Sequence, residues 1–132
     1  MKYLKRIFES TTTKEELQEF CEINLAYLLD DGDFDILVRD DVYGKKFSGI
    51  EYMIHIKKSK LGERFKWKDV KEYIIPFLHV LNREYRISRD KIDLHFVSHG
   101  TTAFIVDRVL TEQSPDSIYF DKDLFSISIA IK

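Results

Sequence analysis

Apolar positions change their period several times along the chain, and each change marks an element. Leu17, Phe20, Cys21, Leu25 and Leu28 recur three or four residues apart, the spacing of one helix face. Thr13 and Glu16 stand ahead of this run at capping-box spacing, so a first helix is predicted from about Lys14 to Asp30, stopped by Gly32. The period then drops to two. Phe34, Ile36 and Val38 alternate with Asp35, Leu37 and Arg39 and predict a strand. Beyond the turn-rich stretch 40–46, a second strand is predicted at about 47–57, with Ile50, Tyr52, Ile54 and Ile56 on one face and Glu51, Met53, His55 and Lys57 on the other. An antiparallel hairpin is the economical pairing of the two.

Helical spacing returns from about Trp67 to Tyr85, where Val70, Tyr73, Ile74, Phe77, Leu78, Leu81 and Tyr85 form an apolar stripe. Burial of each large side chain at roughly 1.5–3 kcal/mol outweighs the roughly 3 kcal/mol that an interior Pro76 costs, with a kink or an irregular first turn expected. Ile92, Leu94 and Phe96 alternate with Asp93, His95 and Val97 as a third strand. The run from Thr101 to Leu110 suits a strand or a short helix and is read as helix. Ser114-Pro115-Asp116 is a turn, and strands are predicted at Ile118–Phe120 and Phe125–Ile131, separated by a turn at Asp121-Lys122-Asp123. In the last strand Phe125, Ile127, Ile129 and Ile131 face one way, while Ser126, Ser128 and Ala130 face the other.

The order is therefore α-β-β-α-β-x-β-β. It predicts a single α+β domain over 1–132, with a mainly antiparallel sheet and two long amphipathic helices packed on one face. The final strand is either central or at an edge. At an edge, its unpaired backbone invites pairing with a second copy, and a homo-oligomer is expected.

Composition narrows the class. Hydrophobic residues at 44% and charged residues at 33% place the chain among folded domains, away from the composition of disorder. Aromatics reach 14%, with ten Phe and seven Tyr, which predicts a Phe-rich core and some rings at an interface. A lone Cys21 on the apolar stripe predicts a buried, unreactive thiol and leaves no disulfide and no cysteine-based zinc site. No apolar run reaches the roughly 18 residues of a membrane span, and the basic start Met1-Lys2-Tyr3-Leu4-Lys5-Arg6 lacks the apolar region of a signal peptide. A cytoplasmic protein with no membrane contact is expected.

Charge is segregated, and this is the strongest feature outside the core pattern. Residues 30–41 hold six aspartates against Arg39 alone. Residues 57–71 hold Lys57, Lys58, Lys60, Arg64, Lys66, Lys68 and Lys71 against Glu63 and Asp69. Phe65 and Trp67 lie within the basic stretch, and aromatics among cations suit phosphates and bases as well as an acidic protein surface. A net charge of −2 and a pI near 6.1 disfavour general nucleic-acid binding. The candidate binding residues are Lys57, Lys58, Lys60, Arg64, Lys66, Trp67 and Lys68, with an acidic protein partner ahead of nucleic acid and a plain solvated surface as the alternative to both.

Catalytic patterns are incomplete. Asp31, Asp33 and Asp35 alternate like the start of a calcium loop, but Ile36 stands where its glycine belongs and Val42 where its glutamate belongs. Asp35 and Lys57 on neighbouring strands resemble the restriction-endonuclease-like nuclease core. That family pairs an Asp with a Glu/Asp-x-Lys motif, and here the triplet reads His55-Ile56-Lys57, leaving Glu51 as the nearest second carboxylate. His99-Gly100-Thr101 matches one of the two His-x-Thr motifs of the two-histidine phosphoesterases, and no second copy exists. His55 and His95 are read as sheet-face histidines.

The opening Met-Lys-Tyr-Leu-Lys-Arg-Ile-Phe-Glu-Ser resembles small accessory proteins of large tailed bacteriophages. The resemblance covers about ten residues and implies a host-takeover factor, a defence inhibitor or a minor virion component acting in the host cytoplasm. The expected function is a non-enzymatic binding protein without a cofactor. The alternatives are a nucleic-acid-binding module on residues 57–71 and a metal-dependent nuclease-like domain on Asp35, Glu51 and Lys57.

Overall fold

The computed structural model describes residues 14–30, 33–40, 51–84, 87–98, 101–105 and 123–132. Thr13, Ile50, His99 and the predicted strand at 118–120 lie outside the described residues, as do 106–110. The first helix is two segments, α1 (Lys14–Asn24) and α2 (Ala26–Asp30), with Leu25 between them. At the interruption the Asn24 side-chain Nδ2 donates to the Phe20 carbonyl at 2.9 Å, and the backbone bond from Leu25 N–H to the Cys21 carbonyl is kept at 2.8 Å. The apolar stripe survives the break, since Leu17, Phe20, Cys21, Leu25 and Leu28 are all buried.

The hairpin of β1 (Phe34–Arg39) and β2 (Tyr52–Lys58) is antiparallel, with Ile36 opposite Ile56 and Val38 opposite Ile54. A two-residue strand β3 (Phe65–Lys66) leads directly into α3 (Trp67–Glu84). The start of α3 is set by Asp69, whose Oδ2 accepts the Lys66 N–H at 3.0 Å, the return half of a capping box. The helix passes through Pro76 without interruption. Pro76 and Glu72, whose carbonyl the missing N–H would have met, are both exposed residues of the helix.

After a 3₁₀ turn at Arg89–Lys91 come β4 (Ile92–Val97), β5 (Thr101–Ile105), β6 (Asp123–Leu124) and β7 (Ser126–Ile131). The main sheet is five-stranded in the order β1-β2-β7-β4-β5, and every pairing is antiparallel. The fold is α+β, as its pattern predicted, with one correction. The helix expected from Thr101 begins instead as a strand over Thr101–Ile105, because pairing with β4 offers this β-branched run a ladder that local spacing did not reveal. The last strand is central, flanked by β2 and β4, so it offers no edge for a second copy.

One face of the sheet is apolar across its central rows. Ile36, Ile56, Ile127 and Phe96 form one row across the strands, and Val38, Ile54, Ile129 and Leu94 form the next. These residues and the inner faces of α1, α2 and α3 make one core. Rings lock the layers: Phe20 meets Phe77 at 5.5 Å, and Trp67 stands edge-on to Phe96 at 5.1 Å. Cys21 is buried in this core, which pushes its thiol pKa far up and leaves it unreactive.

The outer edge of β1 is closed by a side chain. Gln18 of α1 donates from Nε2 to the Ile36 carbonyl at 2.7 Å and accepts the Val38 N–H on Oε1 at 2.8 Å. One amide thus satisfies two of the backbone groups that an added strand would use. Gln18→Ala is expected to cost about 1–3 kcal/mol of unfolding free energy for two lost hydrogen bonds. It should also introduce concentration-dependent self-association. Denaturant titration with sedimentation velocity tests this, and a monomer of unchanged stability would refute the closing role.

Candidate functional site

The basic residues of the second half of β2 and the loop after it gather at one end of the sheet. Lys57 is exposed on the sheet face opposite the helices, between its cross-strand partners Asp35 and Ser126. The loop then turns sharply. Glu63 N–H donates to the Lys60 carbonyl at 3.1 Å, and Gly62, third in this turn, has φ +81°. That is the position where a type II turn favours glycine. Leu61 beside it is 97% exposed, an apolar side chain held out at the tip.

Around this loop lies a depression of about 360 Å³, whose lining includes Lys57, Lys58, Lys60, Glu63, Phe125 and Ser126. Arg64 reaches the same place by laying its guanidinium over the Phe125 ring, 4.5 Å from the centroid. Lys58 sits 4.6 Å from the centre of the Phe34 ring and 3.7 Å from Glu63. A small ribbon anchors the loop: β3 pairs with β6, and Phe65 packs edge-on to Phe34 at 4.9 Å.

The other candidates fall elsewhere. Lys66 pairs with Asp123 at 3.2 Å, and Lys68 is exposed on the first turn of α3; neither lines the depression. Trp67 is a correction. It is fully buried against Phe96, and Phe65 is buried too, so neither ring is available to stack on a base. Trp67 is the first member of the α3 stripe, three residues ahead of Val70, and that spacing was present in the sequence.

The acidic stretch meets the basic one. Ser59 N–H donates to the Asp33 carbonyl at 2.9 Å, its hydroxyl donates to Asp35 Oδ1 at 2.9 Å, and Asp35 stands opposite Lys57 in the ladder. Part of each charge block is therefore used within the fold. Of the nuclease-like set, Asp35 and Lys57 are brought together. Glu51 lies just before the other end of β2, about 20 Å along the strand at 3.3 Å per residue. Among the described residues no group of three His, Cys, Asp or Glu gathers to hold a metal ion.

Pairing also aligns residues that no spacing in the sequence connects. Leu37, His55, Ser128 and His95 form one row across the sheet face opposite the helices. His55 Nδ1 lies 2.9 Å from Ser128 Oγ, and His95 Nε2 is buried with no hydrogen-bond partner among the described residues. The His55–Ser128 contact is not equipped for acyl transfer. Ser128 is only 6% exposed, and β7 is paired on both sides, which commits the backbone N–H groups an oxyanion would need. Both imidazoles titrate below their ordinary value. Burial is the main cause for each, with Arg39 and Lys57 adding to it at His55. At His95, Lys132 adds to burial, and Asp93 opposes it.

These two histidines make folding pH-dependent. Each is held neutral in the fold and takes up a proton more readily when unfolded. Their contribution is therefore complete above the unfolded pKa of about 6.5 and is lost as pH falls below it toward the folded values. Unfolding free energy measured from pH 7.5 to 5 should decline, and the double variant His55→Gln, His95→Gln should decline less steeply. Equal slopes would show that the imidazoles do not drive the loss.

No helix of the described residues is long and apolar enough to cross a membrane. Comparison with protein-family models, with curated proteins and with solved structures finds no match for this chain.

Proposed function

We propose that the chain is a non-catalytic binding protein that takes an acidic segment of a partner protein at the basic end of its sheet. The observation that carries this reading is the depression of about 360 Å³ bordered by Lys57, Lys58 and Lys60, with Leu61 held 97% exposed at its rim. Cations around a concave surface attract carboxylates, and an exposed leucine beside them supplies the apolar contact that protein interfaces use. The accessory role in tailed bacteriophages, suggested by the opening ten residues, would be met by such a binder in the host cytoplasm.

A protein partner is favoured over nucleic acid on two observations. Phe65 and Trp67 are interior, which leaves the half-buried Phe125, already covered by Arg64, as the ring at the depression. Carboxylates of Asp35, Glu63 and Asp123 also interrupt the cations, whereas a phosphate backbone calls for a continuous basic track.

The reading is tested by affinity capture from bacterial lysate, with and without nuclease, using the wild type and the double variant Lys60→Glu, Arg64→Glu. A protein that survives nuclease and is retained at least tenfold less by the variant is expected, as two reversed charges at a rim cost more than about 1.4 kcal/mol. Recovery of nuclease-sensitive material alone would transfer the loop to the nucleic-acid reading. Capture that is indifferent to the variant would remove the loop from the interface.

A further inference from the structure

A second concavity lies on the sheet face opposite the helices, beside the loop and sharing Lys57 and Ser126 with the first depression. Its volume is about 230 Å³, and it is lined by Asp35, Leu37 and Arg39 of β1, His55 and Lys57 of β2, and Ser126 of β7. The two-residue period of the strands puts these side chains on one face, and the register sets Asp35 against Lys57 and Leu37 against His55. From this geometry we infer that the face holds a small-molecule site for a phosphomonoester, its phosphate received by Arg39, His55, Lys57 and the Ser126 hydroxyl.

The donor set suits that group better than a carboxylate. A phosphomonoester presents three terminal oxygens and close to two negative charges, and it is matched by several donors converging from different sides. Arg39 and Lys57 approach from adjacent strands, and Ser126 is the cross-strand partner of Lys57 on the far side. Asp35 is the one acid among the described residues of the lining, and its Oδ1 already accepts from Ser59.

His55 is held ready for such a ligand. Its Nδ1 is occupied by Ser128 Oγ at 2.9 Å, which orients the ring, and Nε2 has no partner among the described residues. When the hydroxyl donates to Nδ1, the neutral ring carries its proton on Nε2; when the ring is cationic, both nitrogens donate. Either state offers Nε2–H to an anion. Arg39 and Lys57 discourage protonation of the empty site, and a dianion seated between them reverses that field. Leu37, 53% exposed in the same row as His55, gives the organic part of the ester an apolar contact.

The test is a heteronuclear NMR titration with phenyl phosphate at pH 6.5, with phenyl sulfate as the monoanionic control. Saturable shifts at His55, Lys57 and Ser126 are expected, with weaker binding of the sulfate. Arg39→Gln and His55→Gln should each weaken binding about tenfold, the equivalent of one charge-assisted hydrogen bond. Arg39 is exposed, so its variant reports on the site even if the His55 variant perturbs the Ser128 contact. The double variant Lys60→Glu, Arg64→Glu should leave phenyl phosphate binding in place, which separates this site from the loop. A phosphotyrosyl tripeptide binding more tightly than phenyl phosphate assigns the site to modified side chains, and the reverse order assigns it to a free metabolite. Absence of saturable shifts on the sheet face, or binding unaffected by both single variants, overturns the inference.

Discussion

The central position of β7 is the constraint on which the rest of the structure depends. Ile127 and Ile129 are completely buried, and they are also the middle members of the two apolar rows. β2 and β4 lie far apart in the chain and never touch as neighbours; each pairs with β7. Without this strand the β1–β2 hairpin and the β4–β5 hairpin are separate ribbons, and an isolated hairpin has little stability in water. The helices pack on a continuous apolar surface only because the last strand joins the two halves.

The same strand shapes the surface away from the helices. On that face it carries Ser126, Ser128 and Ala130, small side chains between the longer ones of β2 and β4. The small column lets His55 come within hydrogen-bond distance of Ser128, and it leaves Ser126 facing Lys57 at the edge of both concavities. The chain just ahead of β7 contributes as well. Phe125 N–H donates to the Val97 carbonyl at 2.8 Å, fixing the corner where the β3–β6 ribbon hands the chain to the main sheet and placing the ring that Arg64 covers.

Charge in this protein divides between internal use and display. Asp69 caps α3, Asp35 accepts from Ser59, and Lys66 pairs with Asp123, so several members of the two charge blocks serve the fold. Exposed pairs of this kind contribute little stability, commonly less than about 1 kcal/mol each. Their consequence is spatial. They leave the cations of residues 57–64 as a compact group around a concave surface and end the impression of a long basic track.

The identity and inner face of nearly every element were legible in the chain, because burial imposes a period of two on strands and near 3.6 on helices. The buried positions of β1, β2, β4 and α3 follow those periods directly. Trp67 obeyed the same rule and would have been read as core had the α3 stripe been traced back by one step. Other features had no local signal. The break in the first helix at Leu25 is not announced by its spacing. Gln18 closes the β1 edge across a gap of eighteen to twenty residues, and the Leu37–His55–Ser128–His95 row exists only once four strands are in register. The stretch from Thr101 was ambiguous until β4 supplied its ladder. Periodicity records which side of an element meets the core, so the sequence by itself determined the elements and the interior. The order of strands and the company kept by polar side chains depend on partners distant along the chain, so tertiary structure alone decided the sheet order, the edge closure and both concave sites.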